Sequence, residues 1–295
     1  MASPADDTRF LAPVGPVLSV VIPVRNRPEA VCLAANSVLA HAGSNIEVVV
    51  VDDGSTDDTL AAVERIKDSR LRAVSIPASG VSVARNEGVA AARAAFIAFL
   101  DSDDYVLPGW VDAMVGAAQS RLDLFSCASI ERHDKLGDSA LAPSPLGAAF
   151  GGLIGRFQSG AFGVSRRAFE AAGGFVAGLR HGENTVLGMA LGRLQIEEPL
   201  AVGSVQSALV VLHRRDRPYD ADLYYESAVT ALAEVGDMLG RDRSVLASHL
   251  GIAGVAAGRS GLRREALRLL GRSIAARPSA PIGYARWCRA LVGRR

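Results

Sequence analysis

The sequence predicts an α/β protein in which a mostly parallel sheet is flanked by helices and followed by an α-helical C-terminal extension. Three observations support this. Short apolar, β-branched runs alternate with segments of helical period through the first part of the chain, the pattern of strand–helix–strand units with right-handed crossovers. Two of those runs stop abruptly at clusters of carboxylates, and open α/β sheets collect their ligands at the carboxyl ends of strands. Beyond residue 220 helical segments rich in arginine, broken by Gly and Pro, fill the remainder.

Taken in order, residues 17–22 form the first expected strand and 29–40 the helix after it. Residues 46–51, IEVVVV, read as the second strand, because β-branched residues fit a pleated, buried surface. This run enters Asp52-Asp53-Gly54-Ser55-Thr56-Asp57, where Gly54 suits a tight turn and Ser55, Thr56 and Asp57 are good N-caps for a helix over 58–67. A third strand is expected at 71–76, a helix at 81–93 and a fourth strand at 95–100. That fourth strand lies in AAFIAFL, whose continuous apolar character marks burial on both faces. Asp101-Ser102-Asp103-Asp104 follows directly, with Asp104 read as the cap of a helix starting near Pro108-Gly109-Trp110. Further strands are expected at 122–129, 158–165 and 204–213. The Gly- and Pro-rich stretch 137–152 reads as a loop, either a flexible active-site loop or a plain surface one. The chain thus divides into an N-terminal tail, 1–16, a sheet domain, 17–219, and a helical region, 220–295.

Asp101 and Asp103 are two residues apart on a chain leaving a strand, so both carboxylates can turn toward one hard cation. Oxygen-only ligands favour Mg²⁺ or Mn²⁺, and a diphosphate is the natural second ligand of such an ion. A polar strand end is the simpler reading of these acids, and a capping loop the simpler reading of Asp53. Two acidic strand ends in the first third of the chain favour a ligand.

Composition sets further bounds. The 295 residues are 49% hydrophobic with positive mean hydropathy, which excludes a disordered chain. No apolar run approaches the length that spans a bilayer. Met1 to Leu11 is polar and acidic, without the basic start and apolar centre of a secretory signal. Cys32, Cys127 and Cys288 are far apart and lack C-x-x-C spacing, so neither a disulfide framework nor a zinc site is expected. A cytoplasmic location is the expectation.

VLSVVIPVRNRPEAV, IEVVVVDDGSTDDT and GVSVARNEGVAAARAAFIAFLDSDD, in this order and spacing, resemble the nucleotide-binding half of the inverting family 2 glycosyltransferases with the GT-A fold. These motifs cover residues 17–110, and weaker similarity runs through GAFGVS and Gly173-Gly174-Phe175 to about Asp216. The resemblance implies a Rossmann-like GT-A sheet, a nucleoside-diphosphate sugar as donor, with uridine the family expectation, and Mn²⁺ or Mg²⁺ as cofactor. It places Pro23, Arg25 and Asp53 around the nucleoside, with Asp53 accepting a hydrogen bond from the base. Asp101 falls nearer the ribose and the metal shell, Ser102 within the donor site, and Asp103 on the metal itself. Arg85, within ARNEG, would meet the donor phosphates or the nucleoside. A cation at Asp101 and Asp103 would neutralise the departing diphosphate.

Inversion also needs a base that takes the proton of the acceptor hydroxyl. In the family this role falls to an acid in a Glu-Asp pair that opens a helix after Gly-Gly-Phe; here the segment reads His181-Gly182-Glu183-Asn184-Thr185. Asparagine cannot act as a base, so Glu183 takes the role, His181 does, or catalysis is impaired. An acid in a first helical turn is also favoured by the macrodipole alone. A second departure is Leu212-His213-Arg214-Arg215-Asp216, where family members often place Tyr-Arg-x-His, whose histidine joins the metal shell. The matching register puts His213 at the tyrosine and Asp216 at the histidine, and either could reach the ion.

Competing readings are a non-catalytic sugar-nucleotide-binding protein, motivated by Asn184, and a nucleotidyltransferase. The latter expects a Gly-rich phosphate loop, which Pro23-Val24-Arg25-Asn26-Arg27 lacks. A dinucleotide-dependent oxidoreductase is disfavoured because no G-x-G-x-x-G follows the first strand. The acceptor, whether glycan, lipid-linked saccharide or small natural product, is read by variable loops and is not fixed by these motifs. No nucleic-acid partner is expected.

The net charge of +1 conceals an asymmetry: from Arg241 to Arg295 twelve arginines stand against Asp242 and Glu265, a local +10 that leaves −9 for the rest. Helices are expected over 222–239, 243–257, 262–275 and 282–292. In the last of them Tyr284, Trp287, Cys288 and Leu291 fall on roughly one side. Internal packing is the ordinary fate of aromatics at this spacing. A peripheral contact with anionic lipid, or with an acidic partner, is the alternative for so basic a segment.

Overall fold

The computed structural model describes residues 15–41, 45–147, 150–214 and 218–292. Strand β1 (Leu18–Val24) leads into α1 (Pro28–Leu39), β2 (Ile46–Asp53) into α2 (Thr59–Glu64), and β3 (Leu71–Ile76) into α3 (Val81–Ala91). Next come β4 (Phe96–Phe99), β5 (Tyr105–Val106), α4 (Trp110–Gln119), β6 (Leu124–His133), β7 (Gly137–Leu141), β8 (Ser144–Pro145) and β9 (Ile154–Gly155). β10 (Phe162–Ser165), α5 (Arg166–Ala171), α6 (Glu183–Glu197) and β11 (Val202–Arg214) follow. The C-terminal helices are α7 (Ala221–Leu239), α8 (Arg243–Arg259), α9 (Arg263–Ala276) and α10 (Pro281–Val292).

The main sheet has the order β3-β2-β1-β4-β10-β6-β11-β5, with β7 also on β6. β1 pairs parallel with β2 and β4, and β2 with β3, as the sequence predicts. β10 then enters antiparallel to both β4 and β6. An antiparallel strand begins where its neighbour ends, so the residues just before β10 lie beside the acids that follow β4.

Strict alternation sorts the side chains of the buried strands. Leu18, Val20, Ile22, Val48 and Val50 face one core with α1 and α4, whose Trp110 and Met114 are fully enclosed. Val21, Val49, Val51, Ile97 and Phe99 face the opposite core with α3, α5 and α6. This period of two, buried on both faces, is why these strands read as unbroken apolar runs. A polar pair interrupts the pattern: Glu47 on β2 is fully buried and accepts from Ser19 Oγ on β1 at 2.6 Å.

Four expectations need correction. Residues 137–152 are not simply a loop, since β7 pairs with β6 from Ser129↔Leu141 to His133↔Gly137 and β8 pairs with β9. β7 is wholly exposed, so no buried face imprints a pattern on its sequence. Only 162–165 of the expected strand 158–165 is extended in the sheet. Asp104 does not cap α4, whose N-cap is Gly109; its carboxylate instead accepts the backbone N–H of His213 at 2.7 Å. Finally, Tyr284, Cys288 and Leu291 on α10 are exposed and Trp287 is half-buried, so the stripe is not a packed core.

The helical region nonetheless docks firmly at its start. Val235 and Leu239 of α7 are buried in a cluster with Phe150, Leu179, Val186 and Met189, the last two on α6. α8, α9 and α10 then stack in succession. Among the described residues no helix is long and apolar enough to cross a membrane.

Candidate active site

The acids after β4 are held by a sharp turn. Leu100 N–H still bonds Val21 O at 3.0 Å, extending the pairing with β1, and Asp104 N–H then reaches back to Asp101 O at 3.0 Å. Asp101 faces Arg85 of α3, whose Nη2 donates to its carboxylate at 2.6 Å and to Ser159 Oγ at 3.0 Å. Arg85 Nη1 donates at 3.0 Å to Glu183, the first residue of α6. This guanidinium is 1% exposed and lies over the Phe175 ring at 5.1 Å. One buried cation therefore joins three segments distant in sequence. Burial alone would raise the pKa of Asp101, but the Arg85 charge and hydrogen bond overcome it and hold the carboxyl below its usual range.

Asp103 pairs with Arg27 of the β1–α1 loop at 3.0 Å, and the same guanidinium reaches Ser102 Oγ at 3.4 Å. Asp104, buried behind them, behaves differently. Its carboxyl is pushed up to about 8, first by burial and then by the Asp101 charge, with Asp103 adding to it. Two of the acids are thus paired with arginines, while the third is driven toward its neutral form.

Neighbouring side chains fix this arrangement. Asn86 clamps the Gly-Gly-Phe segment, donating to Phe175 O at 2.8 Å and accepting from Phe175 N–H at 3.0 Å. Asn184 Nδ2 meets Ser159 Oγ at 3.4 Å. Asn184 Oδ1 and Arg85 Nε are buried without a hydrogen-bond partner among the described residues. His181 is exposed and its ring packs on Tyr224 of α7 at 4.2 Å, which in turn stacks on Tyr219 at 4.7 Å.

The residues expected around the nucleoside lie at the ends of β1 and β2. Pro23 is buried in β1 and Arg25 is exposed just after it. Asp53 is buried, and its two oxygens accept the backbone N–H groups of Ser79 at 2.6 Å and Gly80 at 2.9 Å. It thereby ties down the loop that opens α3. Gly54 beside it has φ +66°, and a Cβ there would stand 2.6 Å from Ala78 N, so the turn requires glycine.

His213 and Asp216 are the other residues expected near the ion. The His213 ring sits 5.7 Å from the Tyr105 ring, with Nδ1 4.0 Å from Asp104 and buried without a hydrogen bond among the described residues. It is thus placed against Asp104 rather than among the paired acids. Asp216 lies outside the described residues. Among the described residues no group of three or more His, Cys, Asp or Glu assembles as a metal cage. Mg²⁺-type ions, however, bind through one or two carboxylates plus substrate phosphates. Asp101 and Asp103 as a donor set fit an ion shared with a diphosphate, and do not fit one held by protein alone.

A model of the family described as glycosyl transferase family 2 matches residues 19–178. The chain belongs to glycosyl transferase family 2. The matched span takes in the acids, Arg85, Ser159 and the Gly-Gly-Phe clamp, and stops just before Glu183. Curated relatives of this family 2 protein include the succinoglycan biosynthesis protein ExoO of Rhizobium meliloti, 41% identical over 106 residues, or 36% of this chain and 30% of ExoO. EpsH of Bacillus subtilis is 33% identical over 132 residues, covering 43% of this chain and 38% of EpsH. The Escherichia coli UDP-Glc:alpha-D-GlcNAc-diphosphoundecaprenol beta-1,3-glucosyltransferase WfaP is 36% identical over 100 residues, covering 34% of this chain and 38% of WfaP. The matches thus span well under half the length of these relatives. Among solved structures, S. aureus TarS 1-349 in complex with UDP superposes with a TM-score of 0.67 at 17% identity, covering 94% of this chain and 88% of that one. The complex with UDP-GlcNAc gives a TM-score of 0.65 at 19% identity, with 94% and 87% covered. The fold of the family 2 chain is therefore GT-A, with its helical extension included in the likeness.

Sequence reasoning missed Arg27, Ser159 and Asn86. Arg27 and Asn86 stand inside motifs already singled out, RNR and ARNEG, but their partners appear only once the strands are side by side. Ser159 had no local signal.

Proposed function

We propose that this chain is an inverting glycosyltransferase that moves a sugar from a UDP-sugar to an acceptor hydroxyl, with Mn²⁺ or Mg²⁺ bound beside the donor. The observation that carries the proposal is the bridge made by Arg85 between Asp101, at the strand end where donor phosphates collect, and Glu183, at the mouth of α6. It brings a phosphate-side acid and a proton acceptor to one buried cation. The UDP and UDP-GlcNAc carried by the TarS structures support the donor class.

In this reading Pro23, Arg25 and Asp53 surround the nucleoside, the Asp53 carboxylate retaining acceptor capacity beside its two backbone donors. Asp101 and Asp103 would hold the divalent ion, with Ser102 within the donor site and Arg27 steadying Asp103. When bound, the ion supplies positive charge against the departing diphosphate. Glu183 takes the proton from the acceptor hydroxyl. The oxygen forms its bond to the anomeric carbon from the face opposite the diphosphate, and the carbon–oxygen bond to UDP breaks with its electron pair leaving on UDP. Arg85 acts through Asp101 and Glu183, as a positioning residue rather than a phosphate ligand, because its guanidinium is enclosed. His181, packed on Tyr224, orders the segment that presents Glu183. ExoO and WfaP, by their names, act in saccharide assembly, which favours a saccharide or lipid-linked saccharide as acceptor.

Turnover of UDP-sugars, followed as UDP released with Mn²⁺ and a saccharide panel, tests the proposal. Glu183→Gln is expected to lose about 10²–10⁴-fold in rate while binding UDP as before. A variant as fast as the native chain would remove Glu183 from the mechanism, and an Asn184→Asp variant that alone turned over would show the native chain to be a binding protein.

A further inference from the structure

The C-terminal helices end in a surface that the catalytic reading leaves unexplained. α10 packs on α9 and α8 through one side, where Gly283 closes on Ile274 and Trp287 approaches Gly271. Its other side is bare. Tyr284, Cys288 and Leu291 follow at helical spacing i, i+4, i+7, and Tyr284 and Leu291 are 47% and 37% exposed. No Asp or Glu occurs in α10, and Arg289, next in sequence to Cys288, is exposed. Arg263, at the start of α9, donates to Leu291 O and so fixes the two helices end to end. Along the outer row of α9 stand Arg264, Arg268 and Arg272, all exposed, with a single acid, Glu265, taken by Arg268.

We propose that α9 and α10 form a docking surface for an anionic phospholipid bilayer, on which α10 lies in the interface with its Tyr284–Leu291 stripe inserted and the arginines at headgroup level. Three features select lipid. The apolar residues form a shallow stripe bordered by arginine, the arrangement of an interfacial helix rather than of a pocket for a protein anchor. The charge is complementary, +10 over residues 241–295, and arginines near an anionic surface act additively. Residues 220–240, which hold α7, carry −5 and the sheet region 17–219 carries −3, so the field that attracts the arginine-rich helices repels the rest of the chain and orients the molecule. The proposal is independent of glycosyl transfer and of the identity of the donor.

The full chain is sedimented with vesicles of phosphatidylcholine containing about 30% phosphatidylglycerol, and with pure phosphatidylcholine, at about 50 mM and about 500 mM salt. Binding is expected to the anionic vesicles at low salt, to fall at least about tenfold at high salt, and to be absent from the neutral ones. The protein has two tryptophans, and Trp110 is fully buried, so a blue shift of emission on adding anionic vesicles reports Trp287. Tyr284→Asp/Leu291→Asp and Arg264→Glu/Arg289→Glu each alter exposed positions and should keep the native circular dichroism and melting temperature. Each pair is expected to weaken partitioning at least about tenfold. A native chain that stays in the supernatant at low salt, binds neutral vesicles equally well, or is matched by both double variants overturns the proposal.

Discussion

Arg85 shows how much one residue decides. It is enclosed, it touches the acid after β4 and the acid that opens α6, and its Nε has no partner among the described residues. Lysine offers one ammonium where the guanidinium offers a rigid fork, so Arg85→Lys cannot serve Asp101, Glu183 and Ser159 together. We expect Arg85→Lys to lower stability by about 3 kcal/mol, since a carboxylate is left without its cation in a buried site, and to reduce turnover at least about 100-fold; urea denaturation and UDP-release rates check the two effects. Asp103→Ala should separate them, because its side chain supports an ion pair and no core. Its unfolding midpoint is expected to stay within about 1 kcal/mol of native while metal-dependent turnover is lost. The acids and Arg85 were legible in the sequence because each stands in a local motif. Their connections were not: the contacts of Arg85 to Asp101, Ser159 and Glu183 follow from β10 running antiparallel and delivering Ser159 to the same edge.

Elements that are buried on both faces were legible, and the exposed ones were not. β1, β2 and β4 announce themselves as apolar runs, whereas two-residue strands such as β5, β8 and β9 and the exposed edge strand β7 leave no periodic trace. Within the legible half, Glu47 is the polar exception that fixes β1, β2 and the end of α3. It accepts from Ser19, from Arg93 N–H and Nε, and from Arg72 Nε. Burial alone would raise its pKa, but these donors hold it below the ordinary range. A depressed folded-state pKa contributes stability that is present above the unfolded value of about 4.3 and is lost as pH falls through the folded one. Glu47→Gln is therefore expected to be less stable than native at pH 7, by about 2 kcal/mol, and to lose less on acidification; urea midpoints across pH check this. Gly88→Ala tests the α3–β1 contact, since a Cβ there would stand 2.2 Å from Val21 Cγ1. Overpacking of that kind costs about 1–3 kcal/mol, and because α3 bears Arg85 a shift of the helix should also slow turnover.

At the scale of the molecule, the helical extension is joined to the sheet region through α6, the helix that begins at Glu183. Leu239 of α7 is fully buried in the cluster it shares with Val186 and Met189. Leu239→Ala is expected to cost about 2–5 kcal/mol by leaving a cavity beside α6, measured by thermal or urea unfolding. Helices and their boundaries in this region were legible from Gly, Pro and apolar period, but the side each presents was not, because α10 is covered by neighbours on one face only. The proposed function requires the acids after β4 to form a metal-assisted site for a nucleoside diphosphate. Calorimetric titration of UDP into the native chain and into Asp103→Ala, each with Mn²⁺ and with chelator, examines that requirement. Binding by the native chain is expected to require Mn²⁺ and to weaken at least about 30-fold in Asp103→Ala, a loss of about 2 kcal/mol; equal UDP affinity with and without the ion, unchanged by the substitution, would rule the metal-assisted site out.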